Sequence, residues 1–199
     1  RCTPRMSFAR GAKSPALMAV ESTLDEATAT VTLTHPAAGA ITFRPDDPED
    51  LLRFLDWVAP LTASGRALPT QIVSAGRGMT DSDFPSVSIL SATSLADLSA
   101  RMGTYLSPHR FRGNLWIDGA APWDEFNWIG RSIRIGGATL RIEERITRCV
   151  ATKVDPATGT PNADTLSALD AALGHQDFGV YATVTQSGPI AIGDEWSLT

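Results

Sequence analysis

Arg148-Cys149-Val150-Ala151-Thr152-Lys153-Val154-Asp155-Pro156-Ala157-Thr158-Gly159 is the stretch that decides how this 199-residue chain is read. It sets one cysteine at the end of a strand-like run, directly after an arginine and just ahead of an Asp-Pro-Ala-Thr-Gly turn. A fold presents a thiolate from a rigid edge in this way. The ordinary fate of a free cysteine is different: it is buried as a small hydrophobe. Arg148, with Arg145 and Lys153 near it in sequence, shifts the balance, because cations facing the sulfur favour the thiolate, the form that binds metal.

Outward from this run the pattern is mostly β. On the C-terminal side Asp164 or Thr165 caps a helix over Leu166–Leu173 that Gly174 ends. Strands are then predicted over Gly179–Thr185 and Pro189–Leu198, with Ser187-Gly188 between them. On the N-terminal side strands are predicted over Leu115–Asp118, Ser132–Ile135 and Thr139–Glu144, the last two joined by Gly136-Gly137. Before these, Ser91 or Thr93 caps a helix carrying Leu95, Leu98 and Met102 and closed by Gly103, preceded by strands at Gln71–Ser74 and Ser86–Leu90. Pro15–Phe43 alternates as two or three antiparallel strands, with Ala29, Val31 and Leu33 on one period and Ile41 and Phe43 on the next. Asp47-Pro48-Glu49-Asp50 starts a helix carrying Leu51, Phe54, Leu55 and Val58, which stops at Pro60. Many short strands, glycine turns and only short helices predict a closed or strongly curved β structure. The Ser/Gly/Ala-rich stretch from Thr62 to Ala67 is the linker candidate, giving units 1–68 and 69–199.

Composition narrows the function classes. Hydrophobic residues make up 43% of the chain, enough for an ordinary core. The formal charge is −5, from 17 basic and 22 acidic residues spread along the sequence, so no basic stripe points to nucleic acid. No apolar run reaches the length of a membrane span and the first residues lack a signal-peptide core, so a cytoplasmic protein without a membrane partner is expected. Two cysteines, Cys2 and Cys149, cannot supply the four thiolates of an ordinary iron–sulfur cluster. His35, His109 and His175 are far apart, without metal-ligand spacing. Gly76-Arg77-Gly78 lacks the setting and third glycine of a dinucleotide fingerprint. Thr80-Asp81-Ser82-Asp83 before Phe84-Pro85 reads either as turn formers or as a loop lining a cofactor. His109 and Arg110 form a short basic patch beside Arg112.

Five blocks occur in one order: Ser91–Leu98, Arg110-Phe111-Arg112-Gly113-Asn114, Trp123–Gly130, the cysteine run, and Phe178-Gly179-Val180-Tyr181. In that order they resemble the MOSC domain of molybdenum cofactor sulfurase C-termini, and in particular the amidoxime-reducing component and YcbX-like group. The resemblance implies a β-rich, MOSC-type β-barrel with short helices plus the remnant of an N-terminal β-rich domain. It further implies the molybdenum cofactor (Mo-molybdopterin), with Cys149 as metal ligand and catalytic residue, and Arg112, Asn114, Arg148 and Tyr181 around the cofactor. A forked guanidinium suits the pterin phosphate. A family-level label of pyridoxal phosphate binding comes with it.

The activity implied is reduction of a small-molecule N-hydroxylated substrate. Electrons then come from a separate reductase or ferredoxin-like partner. A sulfur-carrier role, with a persulfide on Cys149, and a non-catalytic remnant stay open. Two departures from the family pattern stand out: Gly113 replaces its usual proline, and its leading strands, with a lysine, a serine and an arginine at the cofactor, find no counterpart. The chain is therefore read as N-terminally truncated, with an incomplete first sheet.

Overall fold

The computed structural model describes residues 8–74, 78 and 80–199; Cys2 and most of the Gly76-Arg77-Gly78 loop lie outside them. The chain divides into two compact units, Arg1–Ser74 with Cys149–Ala163, and Ala75–Arg148 with Asp164–Thr199.

In the first unit β1 (Glu21–Asp25), β2 (Thr30–His35) and β3 (Gly39–Phe43) pair antiparallel in that order. Pro15–Ala19, taken from the sequence as the start of the β region, is instead a 3-10 helix with proline in its first turn. The fixed φ of proline suits that position and the missing N–H costs nothing there. Helix α1 (Pro48–Val58) begins as its sequence predicts: Asp47 Oδ1 accepts from Glu49 N at 3.0 Å, and Glu49 and Asp50 sit at the positive end of the dipole. Phe54 of α1 stacks on Phe43 of β3, ring centroids 4.9 Å apart, which seats the helix on its sheet. Pro60 cannot donate to the turn behind it, and the helix ends in one 3-10 turn, Ala59–Leu61.

The second unit is built on a six-stranded sheet of β4 (Val87–Ser91), β5 (Leu115–Ile117), β6 (Ser132–Ile135), β7 (Ala138–Thr147), β8 (Asp177–Gln186) and β9 (Trp196–Leu198), in the order β5-β4-β8-β7-β6-β9. Helix α2 (Ala92–Met102) follows β4, capped by Ser91 Oγ accepting from Ser94 N at 3.2 Å and closed by Gly103 at φ 64. Helix α3 (Thr165–Leu173) precedes β8, with Asp164 as its cap. The long antiparallel pair β7–β8 carries three register shifts, each a bulge that bends the ladder and increases its twist. The sheet curls into a half-barrel. Its two edge strands come close enough for Trp196 Nε1 to donate to Asp118 O, just past β5, at 2.7 Å. Within the curl lies a core of Ile89, Ile133, Leu140, Ile142 and Val180, all almost fully buried, with Trp128 and Phe126. Trp123 and Trp196 pack against this core from its margin.

Two predicted strands are absent or shortened. Gln71–Ser74 forms no strand, because no ladder partner meets it among the described residues. Of Pro189–Leu198 only Trp196–Leu198 is strand. Gly193 at φ 92, and Asp194 Oδ2 accepting from Ala191 N at 2.8 Å, fold the preceding residues into a turn.

Candidate functional site

The cysteine run starts where β7 stops. Thr147 ends the strand opposite Asp177, its Oγ1 donating to Asp177 Oδ1 at 2.7 Å, and Arg148 N donates to Gln176 O at 2.9 Å. Cys149 follows in an extended conformation and starts a 3-10 turn, Val150–Lys153. Thr152 closes that turn, its N and Oγ1 donating to Cys149 O at 3.2 and 3.1 Å. The next residues are knotted around Asp155, whose Oδ1 accepts from Ala157 N and Oδ2 from Asn162 Nδ2, both at 2.9 Å. Asp155 O accepts from Gly159 N at 2.8 Å, and Gly159 takes φ 72. A Cβ there would lie 2.8 Å from Ala16 Cα, so only glycine allows this approach. The turn thus has the role its Asp-Pro-Ala-Thr-Gly sequence suggests. It holds a short loop rigid behind Cys149, whose thiol is free and exposed.

Arg148 belongs to the second unit and spends its donors within it. Its Nη1 donates to Phe111 O at 3.0 Å, and its Nε and Nη2 to Phe178 O at 2.8 and 2.5 Å. The guanidinium carbon lies 5.5 Å from the Phe111 ring centroid and 5.8 Å from that of Phe178. These donors orient two backbone segments, one of which leads directly into Arg112. Arg145 turns elsewhere: it stacks over Phe126 at 4.5 Å, with Nη1 3.3 Å from His175 Nε2. His175 sits edge-on to Phe126, and its Nδ1 accepts from Asp177 N at 3.1 Å.

Arg112 ends the 3-10 helix Pro108–Phe111 with a left-handed backbone, φ 47 and ψ 43, and is exposed. A non-glycine residue held in this region is uncommon and stores strain that its surroundings must enforce. Here the enforcement is visible on both sides. Arg148 ties down Phe111, and Asn114 is bound to Ser88 by three hydrogen bonds: Ser88 N and Oγ donate to Asn114 Oδ1 at 3.0 and 2.9 Å, and Asn114 N donates to Ser88 Oγ at 2.9 Å. Gly113 completes the loop against Leu90, whose Cδ1 would lie 2.6 Å from a Cβ. Tyr181 is opposite Ser88 in the β4–β8 ladder and half-buried, with its ring edge-on to Phe84. Within the second unit Asn114 and Tyr181 thus meet at Ser88, and Arg148 binds the Phe111 carbonyl one residue before Arg112. Arg110, taken from the sequence as part of a basic patch, is instead buried.

Sequence reading missed Ser88 and Glu125. The signal for Ser88 was a lone polar residue inside Val87-Ser88-Ile89-Leu90. Glu125 is fully buried; burial raises its carboxyl above the ordinary range, and its Oε2 accepts from Ser94 Oγ at 2.9 Å. Ser94 Oγ in turn accepts from Trp123 N at 2.8 Å. Thr80 and Ser82 spend their hydroxyls on local carbonyls, chiefly that of Phe84, as turn formers do.

Among the described residues no three His, Cys, Asp or Glu side chains cluster to hold a metal ion by themselves. In the first unit Cys149 offers an exposed soft donor, the kind that suits a metal already held by sulfur; in the second unit, taken by itself, Arg112 offers an exposed guanidinium in a braced loop, the kind that suits an anionic group. No helix of the described residues is long and apolar enough to cross a membrane.

Residues 78–197 match the family model described as MOSC domain. The chain is 30% identical over 124 residues to mitochondrial amidoxime reducing component 2 of Bos taurus, covering 56% of this chain and 36% of that protein. Mitochondrial amidoxime-reducing component 1 of Mus musculus is 31% identical over 57% of this chain and 36% of its own length. The molybdenum cofactor sulfurase of Anopheles gambiae is 34% identical over 38% of this chain and 10% of its own length. The match thus spans about a third of the amidoxime-reducing relatives. Among solved structures, YiiM from Geobacillus stearothermophilus aligns at TM-score 0.44 and 18% identity, over 57% of this chain and 53% of that one.

Proposed function

We propose that this chain, which belongs to the MOSC domain family, binds the molybdenum cofactor and reduces N-hydroxylated small molecules, with Cys149 as the protein's ligand to the metal. The observation that supports this reading most is the free, exposed thiol of Cys149, held at the end of β7 by a rigid turn and inside the matched stretch. Relatives bearing the names amidoxime reducing component and molybdenum cofactor sulfurase give the chemistry its direction.

In this reading Cys149 offers the thiolate, and Arg112 offers its forked donors to the phosphate of the pterin. Arg148 acts as a positioning residue: it braces the Phe111 and Phe178 backbones and so fixes the strained turn at Arg112. Asn114, locked to Ser88, fixes the other end, and Tyr181 lies beside that lock. When bound, the cofactor would supply the two-electron chemistry by which an N–OH group, two electrons and two protons become N–H and water. The electrons come from a separate donor protein. The protein's part is to hold, orient and shield.

The experiment is molybdenum and pterin analysis of the chain purified from cells that make the cofactor, beside its Cys149→Ser variant. Near-stoichiometric metal in the parent and markedly less in the variant, with matching circular dichroism, is the expected result. Equal metal in both would remove Cys149 from the site. A labile sulfur on Cys149 with little metal would instead mark a sulfur carrier.

A further inference from the structure

We propose that the cleft between the two open edges of the six-stranded sheet docks an extended segment of a partner protein, basic and apolar in alternation, as an added strand. The cleft has a volume of about 880 Å³ and lies wholly within the second unit. One wall is β5, which among the described residues pairs with β4 alone. The other is β9, which among the described residues pairs with β6 alone, together with the turn before it. Strand edges left open in this way are templates for further pairing, and an extended peptide can satisfy them as an additional strand. A side-chain bond, Trp196 Nε1 to Asp118 O, spans the gap where a ladder would otherwise close the sheet.

Two further properties of the cleft specify the occupant. Its turn exposes two large aliphatic side chains, Ile190 at 40% and Ile192 at 108% of full exposure, and Trp116 and Ile117 also line the cleft. Aliphatic groups gathered in water beside a groove mark an interaction surface. The turn has a defined shape, since Asp194 Oδ2 accepts from Ala191 N, and Gly136 leaves the space into which that carboxylate fits. Its charged residues are all acidic: Asp118, Asp194 and Glu195, with no lysine, arginine or histidine in the lining. Such a rim attracts a cationic segment and repels a second copy of itself, which would bring the same carboxylates face to face. Arg134, although on neighbouring β6, alternates away from Ile133 and Ile135 and so lies on the opposite face of the sheet.

The test titrates the full chain with the synthetic peptide acetyl-Lys-Val-Lys-Val-Lys-Val-amide, followed by tryptophan fluorescence, against the same peptide with glutamate in place of lysine. Saturable binding of the basic peptide alone, weakened about tenfold by Ile192→Ser because an aliphatic burial is lost, is the expected outcome. Asp118→Asn with Glu195→Gln should flatten its salt dependence. Ile192 is fully exposed, so its variant should keep the parent's circular dichroism and melting. Equal binding of the acidic peptide, no saturable binding, or indifference to Ile192→Ser would overturn the proposal. So would a concentration-dependent dimer in sedimentation that Ile192→Ser dissolves, since the occupant would then be a second copy.

Discussion

At the scale of single residues, the candidate site includes side chains that brace the backbone. Arg148 illustrates this. It follows directly before Cys149 as a charge, yet its donors bond the Phe111 and Phe178 carbonyls, both on buried residues. Arg148→Ala should therefore destabilise the fold by about 1–3 kcal/mol, the cost of leaving buried acceptors unpaired. Arg148→Lys should recover only part of this, because one ammonium cannot reproduce the fork. Urea unfolding of the three proteins checks both. Glu125 makes a prediction of a different kind. Burial raises its carboxyl in the folded state above the ordinary value of 4.5, so its contribution is fully present below that value and is lost as pH rises through the raised folded value. The parent should lose stability as pH climbs through that window, whereas Glu125→Gln, a shape match for the protonated acid, should be flatter. Urea midpoints across the pH range decide it, and parallel profiles would mean that Glu125 does not carry the effect.

At the scale of elements, start and stop chemistry was the most legible part of the chain. Asp47-Pro48, Ser91 and Asp164 begin the three helices, and Gly103 and Gly174 end two of them in the left-handed conformation their sequences require. The glycines are not equivalent. Gly103 at φ 64 has open space around it, so Gly103→Ala should cost about 1 kcal/mol from backbone strain alone. Gly179, at φ 78, would put a Cβ 2.9 Å from both Ile89 O and Leu90 Cγ. Gly179→Ala should then cost about 3 kcal/mol or more, since strain and overpacking add. Calorimetric melting of the pair measures the difference. The 3-10 helices were not legible: Pro15–Ala19 and Pro108–Phe111 are too short to show a period, and one-turn elements are fixed by what they pack on. The Pro189–Leu198 run misled for a related reason. Its Ile-x-Ile pattern reads as a strand, while the Asp194 bond that folds it into a turn depends on space left by Gly136, more than fifty positions away.

At the scale of the molecule, the β-rich class and the strand succession were readable from turns and alternation, but the order β5-β4-β8-β7-β6-β9 was not, because it depends on pairings between strands distant in sequence. The candidate site divides the same way. Cys149, Arg112 and Asn114 were visible as motif residues. Ser88, which locks Asn114 from twenty-six positions away, was hidden inside an ordinary strand. The open sheet is spanned by the Trp196 bond, and Trp196→Phe should cost about 1 kcal/mol in urea unfolding without changing the slope. The central claim remains the thiolate of Cys149 on the metal. X-ray absorption at the molybdenum edge, recorded on the cofactor-loaded chain and on a loaded Cys149→Ser variant or the best loading it reaches, addresses that bond itself. The account predicts one more sulfur neighbour at molybdenum in the parent than in the variant. An identical sulfur shell in the two samples would contradict it.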